Sequence, residues 1–287
     1  MKFSKYIFGL LFLILFAVWL AAFSLPGPNL HIIACDVGQG DAILIQKGSS
    51  QILLDGGPDD RVLDCLGRYM PFWDRKIELV ILTHPEDDHL AGLIEVVRRY
   101  KLDLYAEYKQ ETGTELAEVL KKEVGGRGVK ALMAVAGTKL RLGKIYLDIL
   151  HPDIGYQPSA ISDTNDLSIV FLLKYSGFKA LFTGDISAAV SDQLSVISSV
   201  QRTDYVKIPH HGSKNGISQK LLEATKPKVA IISVGKKNSY GHPHQEILKM
   251  LREARYLPAG RQAKILRTDL MGDIEVESDG KKFFVKN

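Results

Sequence analysis

The chain has 287 residues, of which 46% are hydrophobic and 24% are charged, and its net charge is +4. These values are ordinary for a globular protein, and the length allows one large domain or two small ones. Its two cysteines, Cys35 and Cys65, form no Cys-x-x-Cys motif, which excludes thiolate zinc sites and thioredoxin-like chemistry. We interpret both as buried, small apolar side chains. A disulfide between them is the alternative, and nothing in the sequence supports it.

The N-terminal segment is apolar enough to predict a membrane helix. Residues 6–25 carry no charge, and at a helical rise of 1.5 Å they cover the roughly 30 Å hydrocarbon core of a bilayer. Two lysines precede the segment, and the next basic residue is Lys47, so the positive-inside rule places the remaining chain on the extracytoplasmic side. We predict a single-pass membrane anchor over residues 1–25 and a linker over residues 26–29. A signal peptide cleaved near residues 22–24 is the alternative.

Apolar runs and glycine-rich turns after the linker predict one α/β domain over residues 30–287. The runs predict strands at 30–37, 41–46, 51–54, 77–83, 129–135, 139–142, 144–150, 167–175, 179–182, 205–208, 229–234, 264–267, 273–277 and 282–285. Helices are predicted at 61–69, 90–100, 115–124, 187–200, 218–225 and 245–254. Two packed sheets with helices outside them are the simplest way to bury so many apolar strands.

A dense polar cluster follows the predicted strand 77–83. The run from Thr83 to His89 holds two histidines and three carboxylates, and an apolar helical pattern begins directly after it. Groups at the end of a buried strand can be aimed rigidly at one point, as a metal site requires. The cluster is therefore a candidate metal site whose partners must lie elsewhere in the chain.

Further polar residues follow other predicted strands. Asp55 alone is typical of a tight turn, and Asp185 alone of a helix cap. Histidines are adjacent at 210–211 and two residues apart at 242 and 244. Together with His84 and His89, they place six of the eight histidines in three clusters, each where a strand meets a loop. Imidazoles and carboxylates together form a ligand set for divalent metal. A Ser/His/Asp triad explains the set less well, because Ser213 is not on a nucleophile elbow.

The spacing of these residues predicts two ligand sets. Asp185 bridges them: His84 and Glu86 serve one metal, while Asp88, His89 and an imidazole from 210–211 serve the other. Two metals at roughly 3.5–4 Å activate water and clamp both oxygens of a phosphoryl transfer.

The motifs together resemble the metallo-β-lactamase fold superfamily, and more closely the hydrolase domain at the C-terminus of ComEC competence proteins. They are His84-x-Glu86-x-Asp88-His89, Leu54-Asp55-Gly56-Gly57, Thr183-Gly184-Asp185, Asp36-Val37-Gly38-Gln39-Gly40-Asp41-Ala42, Asn165-Asp166-x-Ser168, His210-His211-Gly212-Ser213 and Tyr240-Gly241-His242-Pro243-His244. The resemblance spans about residues 30–280. It implies an αββα sandwich, metallo-β-lactamase-like, with a metal site at one edge of the two sheets.

The resemblance also implies the roles of the site residues. Two divalent ions, Zn²⁺ or Mn²⁺, are expected on His84, Glu86, Asp88, His89, Asp185 and His211. The catalytic residues are expected to be Asp88, Asp185, His210 and His244. Substrate contacts are expected from Asn165, Asp166, Ser213, Tyr240 and His242.

Two departures from the family pattern bear on the metal. Glu86 stands where superfamily members usually have histidine, and the histidine expected before strand 167–175 is replaced by Asn165-Asp166. His151 lies too far upstream to take its place. The first ligand set is therefore rich in oxygen, which suits Mn²⁺ or Mg²⁺ better than a three-histidine site would.

ComEC proteins carry a multi-helix channel, so DNA transport is not carried over to a chain with one predicted span.

A local excess of positive charge points to the substrate. Residues 201–250 hold nine Lys or Arg and three acids. A positive rim beside a two-metal site fits a polyanion with phosphodiester links, whereas a solvated lysine-rich surface is the alternative. We predict a membrane-anchored phosphodiesterase or nuclease in extracellular DNA processing, DNA uptake or competence, with an envelope channel protein as partner. A non-catalytic DNA-binding module, or a metallohydrolase of another ester or amide bond, are the competing hypotheses.

Overall fold

The computed structural model describes residues 2–23, 27–108, 114–156, 164–254 and 262–286. Its α-helices are α1 (Lys2–Phe23), α2 (Arg61–Tyr69), α3 (Asp87–Arg99), α4 (Glu115–Gly126), α5 (Ala188–Leu194), α6 (Gln219–Thr225), α7 (Gln245–Glu253) and α8 (Thr268–Met271). Its strands are β1 (Leu30–Ala34), β2 (Ile43–Lys47), β3 (Ser50–Leu54), β4 (Lys76–Leu82), β5 (Lys101–Glu107), β6 (Lys130–Met133), β7 (Lys139–Leu142), β8 (Ile145–His151), β9 (Val170–Tyr175), β10 (Phe178–Phe182), β11 (Tyr205–Lys207), β12 (Val229–Ile232), β13 (Lys264–Arg267), β14 (Ile274–Ser278) and β15 (Phe283–Lys286).

The strands form two sheets that pack face to face. One has eight strands in the order β15-β14-β1-β2-β3-β4-β5-β6, and the other has seven in the order β13-β12-β11-β10-β9-β8-β7. Buried side chains such as Ile45, Phe171 and Ile231 fill the space between the sheets. Helices α2 to α4 cover the outer face of the first sheet, and α5 to α7 cover that of the second. The predicted αββα sandwich is confirmed.

Strand direction brings the polar loops together. Strand β3 runs parallel to β4, and β10, β11 and β12 run parallel to one another. Because the carboxyl ends of parallel strands meet at one edge of a sheet, the loops after these strands converge. The segments with Asp55, His84, Asp185 and His211 all follow such strands.

Several elements differ from the sequence-based expectation. The sequence predicts no strand at β5, because this strand begins at Lys101, two residues after α3 ends, with no glycine or proline to mark the change. It also predicts no helix at α8, which has only four residues. The predicted helix 187–200 ends at Leu194, and only a short 3₁₀ turn at Ser198–Val200 follows.

The interpretation of the two cysteines as unpaired thiols is wrong. Cys35 and Cys65 form a disulfide across 30 residues of sequence, with their Cα atoms 5.9 Å apart. Both are buried, as expected. Cys35 follows β1 and Cys65 lies in α2, so the bond ties the loop after β1 to the helix above it. Two cysteines 30 residues apart carry no local signal of pairing, since the fold alone brings them together.

The N-terminal helix α1 is exposed over residues 5–20, with Phe8 71% and Leu15 67% accessible. Within the part of the chain that the structure describes, no helix combines the length and apolarity needed to cross a bilayer. The membrane anchor therefore stays a prediction. Residues 24–26, which hold the end of the anchor, part of the alternative cleavage site and the first linker residue, lie outside the described residues.

Candidate metal centre

The segment after β4 carries the first group of candidate ligands. Thr83 and His84 follow the strand directly, Glu86 occupies the N-cap position of α3, and Asp88 and His89 lie in the first helical turn. Carboxylates are favoured there because the exposed N–H groups of a helix start carry partial positive charge. His84 and His89 are buried, with rings 4.1 Å apart. The strand end and the first helical turn thus hold both imidazoles together in the protein interior.

Three buried histidines are oriented by a partner on Nδ1. His84 contacts Thr83 Oγ1 at 3.0 Å, His89 contacts Asp55 Oδ2 at 3.0 Å, and His211 contacts the carbonyl oxygen of Ser233 at 2.9 Å. The Nε2 atoms of the same three rings are buried and make no hydrogen bond with the described residues. An imidazole held through one nitrogen, with the other left bare in the interior, is the arrangement of a metal ligand.

Four side chains from both halves of the chain form a compact ligand set. His211 Nε2 lies 3.1 Å from Asp185 Oδ2 and 3.3 Å from Asp88 Oδ2. His89 Nε2 lies 3.4 Å from Asp185 Oδ2 and 3.9 Å from Asp88 Oδ1. Ligands bound tetrahedrally at about 2.0–2.2 Å are about 3.3–3.6 Å apart. The residues present therefore fit a divalent ion, and we call these four the closed ligand set.

A second group, the open ligand set, lies beside the first. It comprises His84, Glu86 and the shared Asp185. His84, His89 and Asp185 offer ligand atoms within 4.8 Å of one another, and His84 Nε2 lies 3.9 Å from Glu86 Oε2. The Glu86 side chain is 42% exposed. Its Oε1 accepts a hydrogen bond of 2.8 Å from Thr164, so the segment that lacks the expected histidine contacts this carboxylate instead.

A buried lysine compensates the acids of the site. Lys207 is fully buried in β11, and its Nζ donates to Asp185 Oδ1 at 2.9 Å, to the carbonyl oxygen of Gly184 at 2.9 Å, and to Asp41 Oδ2. Burial lowers the pKa of Lys207, but the charges of Asp185 and Asp41 outweigh it and hold the pKa above its usual value. Lys207 thus fixes one oxygen of Asp185 and leaves the other facing the histidines.

Neighbouring charges shift the pKa values of all four residues in the closed ligand set. Burial opposes ionisation of Asp88 and Asp185, but neighbouring histidines, together with Lys207 in the case of Asp185, hold both carboxyl pKa values below the usual range. Burial lowers the pKa of His211, yet Asp185 and Asp88 raise it to about 10, and carboxylates raise that of His89 as well. Because a histidine must be neutral to bind metal, a divalent ion held by these residues would displace protons from the His89 and His211 rings.

Asp55 and Asp41 support the ligands from behind. Asp55 accepts hydrogen bonds from the backbone N–H and the hydroxyl of Thr83, both at 2.8 Å, and contacts His89 at 3.0 Å. The loop that carries Asp41 packs so closely on α3 that a Cβ on Gly40, whose φ is +136°, would lie 2.1 Å from the carbonyl oxygen of Asp88. Only glycine fits that position.

The sequence predicts other roles for these supporting residues. Asp55 alone is typical of a turn residue, and Asp41 stands out only as part of a family motif. The sequence predicts Lys207 to be part of a positive surface rim, and this prediction is wrong because the side chain is wholly internal. A lone lysine in an apolar strand two residues before a histidine pair was the available signal.

A second histidine cluster lies against His211. The ring centroid of His242 is 5.6 Å from that of His210, 6.4 Å from that of His211 and 4.9 Å from that of His244. Tyr240 stacks on His242 at 5.6 Å. Burial and the three neighbouring histidines lower the pKa of His242 to about 4, so the ring is neutral near pH 7. His210 and His211 have φ values of +51°, a costly conformation for such residues.

The remaining predicted site residues lie in the supporting loops. The Asp166 carboxylate accepts a 2.8 Å hydrogen bond from the backbone N–H of Ser187, and its carbonyl contacts His151 Nε2 at 2.7 Å. Ser213 is buried and its N–H donates to the carbonyl of His210 at 2.7 Å. Asn165 Oδ1 is buried without a hydrogen-bond partner among the described residues. The Asn165 side-chain oxygen is therefore free to accept a hydrogen bond from a bound substrate.

The positive rim at the site edge is smaller than the sequence predicted. Besides Lys207, three basic residues of the region form ion pairs with acids: Lys220 with Asp192, Lys228 with Asp204, and Lys249 with Glu253. Lys214, Lys236 and Lys237 are exposed on the loops after β11 and β12, at the edge that holds the histidine clusters. These three lysines are what remains of the rim near the site.

The fold and the site define the class of protein. A family model described as the metallo-beta-lactamase superfamily matches residues 35–236, and the chain belongs to that family. Members of this family are typically metal-dependent hydrolases. The metallo-beta-lactamase fold protein YhfI from Bacillus subtilis superposes with a TM-score of 0.58, at 14% identity, over 87% of this chain and 100% of that one. At this identity the superposition shows the fold alone.

Two curated relatives are more similar in sequence. ComE operon protein 3 of Bacillus subtilis is 26% identical over 260 residues, which cover 84% of this chain and 32% of that protein. Recombination protein 2 of Haemophilus influenzae is 28% identical over 267 residues, which cover 90% of this chain and 31% of that protein. The chain thus spans about a third of the length of these relatives. The predicted resemblance to competence proteins is confirmed.

Proposed function

We propose that this chain is a metal-dependent phosphodiesterase that cleaves nucleic acid outside the cytoplasm, held at the membrane by residues 6–25. The observation that carries the proposal is the closed ligand set, Asp88, His89, Asp185 and His211, which shares Asp185 with His84 and Glu86. Its bare, buried Nε2 atoms and ionised carboxylates suit a divalent ion.

The two ligand sets would each bind one ion. The closed ligand set would hold one ion tightly, and the open ligand set would hold a second more weakly. When bound, such ions activate water and stabilise the charge of a phosphoryl transition state. Lys207 and Asp55 keep Asp185 and His89 in position. The ring of His210 lies 6.3 Å from that of His211, and the ring of His244 lies 4.9 Å from that of His242. We assign to these two histidines contact with the phosphate or protonation of the leaving oxygen.

Substrate and location have separate support. The two competence-related relatives favour a nucleic acid, and the exposed Lys214, Lys236 and Lys237 supply attraction for a phosphate backbone. The buried Cys35–Cys65 disulfide favours an oxidising compartment, which agrees with an extracytoplasmic domain. A competence or envelope channel protein is the partner we propose, because the relatives are three times longer than the part that this chain matches.

The test is hydrolysis of single-stranded DNA and of a generic phosphodiester by the purified full chain with Mn²⁺ or Zn²⁺. Asp88→Ala should abolish activity. Asp87→Ala is the matched control, since it removes an exposed carboxylate from the same helical turn. If wild-type protein with bound metal cleaves neither substrate, the phosphodiesterase proposal fails, and a panel of esters and amides becomes the next test.

A second candidate function is a binding module without catalysis. The open ligand set favours it, because its Glu86 side chain is 42% exposed and a weakly held second ion would limit turnover. DNA binding by a preparation that has no bound metal and no activity would support this alternative.

A further inference from the structure

Phe72 and Trp73 form an exposed aromatic pair on the loop between α2 and β4. The two side chains are 76% and 41% accessible, and their rings meet edge to face with centroids 4.8 Å apart. Large exposed aromatic residues grouped together mark an interaction surface. Tryptophan in particular is enriched where proteins meet the membrane–water interface.

A basic cleft of about 590 Å³ opens beside this loop. Arg75, Arg99, Lys101 and Arg127 line it, and no acidic residue does. The Arg75 guanidinium lies over the Tyr100 ring at 5.6 Å, and the Arg75 carbonyl accepts a 2.8 Å hydrogen bond from the Lys101 N–H. The loop that carries the aromatic pair therefore contributes Arg75, two residues after Trp73, to the wall of the cleft.

Much of the positive charge in the cleft is uncompensated. Among the described residues, Arg75 and Lys101 make no ion pair with a carboxylate. The other two cations reach Glu95 and Glu123, but both acids lie closer to Arg98, at 2.8 and 2.9 Å. Such a cleft suits phosphate groups, which arginine binds in a bidentate manner.

The cleft lies at the edge of the first sheet that is opposite the metal centre. Strands β4, β5 and β6 are parallel, so the residues before them, including Arg75 and Arg127, lie at the edge opposite the metal centre. Strand β1 is antiparallel to β2, which is antiparallel to β3, and β3 is parallel to β4. The start of β1 at Leu30 is therefore at the same edge as the cleft. The chain that leaves the apolar N-terminal segment enters the domain there.

We propose that this edge is the membrane-facing surface of the domain and docks on anionic phospholipid. Phe72 and Trp73 enter the interfacial layer, while Arg75, Lys101 and Arg127 contact lipid phosphates. This placement rests on the membrane anchor of the proposed function. Residues 24–29 span at most about 20 Å, so an anchored domain keeps this edge close to the bilayer. The metal centre then faces away from the membrane, open to a long polymer.

Trp73 itself is the reporter for the test. The chain has two tryptophans, so Trp19→Phe leaves Trp73 alone. The full chain is reconstituted with phosphatidylglycerol or with phosphatidylcholine vesicles, and flotation measures anchoring. Quenching of Trp73 by brominated acyl chains measures docking. We expect at least about twofold stronger quenching in phosphatidylglycerol. Lys101→Glu/Arg127→Glu should abolish the difference without changing flotation, whereas the matched control Lys249→Glu/Arg252→Glu on α7 should keep it.

The outcomes separate the two proposals. Failure to float removes the anchor, and with it this docking surface. Flotation with Trp73 equally unquenched in both lipids overturns the docking surface alone. Without lipid, a change of Trp73 emission on adding single-stranded oligonucleotide, lost in Lys101→Glu/Arg127→Glu, would make this edge a nucleic-acid interface instead.

Discussion

The ammonium group of Lys207 lies 2.9 Å from Oδ1 of Asp185, while the other oxygen of that carboxylate lies 3.1 Å from His211 Nε2. One acid therefore joins a permanent internal cation to the candidate metal ligands. Lys207 also binds Asp41, so a single positive charge organises two buried acids from opposite halves of the chain. Removing it takes the lysine charge away from both carboxylates and leaves Asp185 with only the neighbouring histidines.

Lys207→Met should destabilise the metal-free protein strongly. Loss of one partner of a buried ion pair costs about 3–5 kcal/mol, because the remaining charge stays buried. Urea unfolding measures the loss. Lys214→Met, an exposed lysine at the same edge, is the control and should change stability by less than about 0.5 kcal/mol. Adding Asp41→Asn to Lys207→Met should recover part of the loss. Equal stability of wild type and Lys207→Met would show that the ion pairs contribute nothing.

Asp55→Asn should weaken metal binding without unfolding the domain. The carboxylate holds both Thr83 and the Nδ1 atom of His89, and loss of such an orienting acceptor typically lowers metal affinity 10–100-fold. Competition with a chelator of known affinity measures the change. Asp59→Asn, an exposed acid on the following loop, should bind metal like wild type. Unchanged affinity in Asp55→Asn would remove Asp55 from the support of the site.

Glu86→His should raise the zinc content of the protein. Imidazole suits zinc better than a half-exposed carboxylate does, and this change restores the residue type usual in the superfamily. Elemental analysis should find close to two zinc ions per chain in the variant and close to one in wild type. Thr164→Val, which removes the hydrogen bond to Glu86 and adds no ligand, is the control. Two tightly bound zinc ions in wild type would contradict the weakness of the open ligand set.

Loss of the disulfide should destabilise the domain by a moderate amount. Closing a loop of 30 residues contributes about 3–4 kcal/mol in the chain-entropy treatment. Cys35→Ser/Cys65→Ser should therefore unfold at lower urea, and wild type in reducing agent should match it. If reduction leaves the unfolding midpoint unchanged, the pair is not bonded in solution.

The fold could be predicted because its signals are local. Apolar runs bounded by glycine gave nearly every strand, and the order of the motifs gave the sandwich. The strand Lys101–Glu107 could not be predicted, because it follows a helix without a turn residue between them. The disulfide could not be predicted for a different reason, since only the packing of α2 on β1 brings Cys35 and Cys65 within bonding distance.

The candidate ligands could be predicted for a similar reason, and their supports could not. The sequence pattern indicates His84, Asp88 and His211, because they are polar residues crowded at strand ends. Lys207 and Asp41 become meaningful only when the two sheets place them in contact, 166 positions apart in the sequence. A buried ion pair between distant segments has no local pattern, because long-range pairing decides it.

The central claim is that Asp88, His89, Asp185 and His211 hold a divalent ion that serves cleavage of nucleic acid. The most direct test is to measure metal content and activity on single-stranded DNA in the same preparations of wild type, His211→Ala and Asp87→Ala. We expect wild type and Asp87→Ala to retain metal and activity, and His211→Ala to lose both. DNA cleavage by His211→Ala at the wild-type rate, with its tightly bound metal absent, would contradict the account.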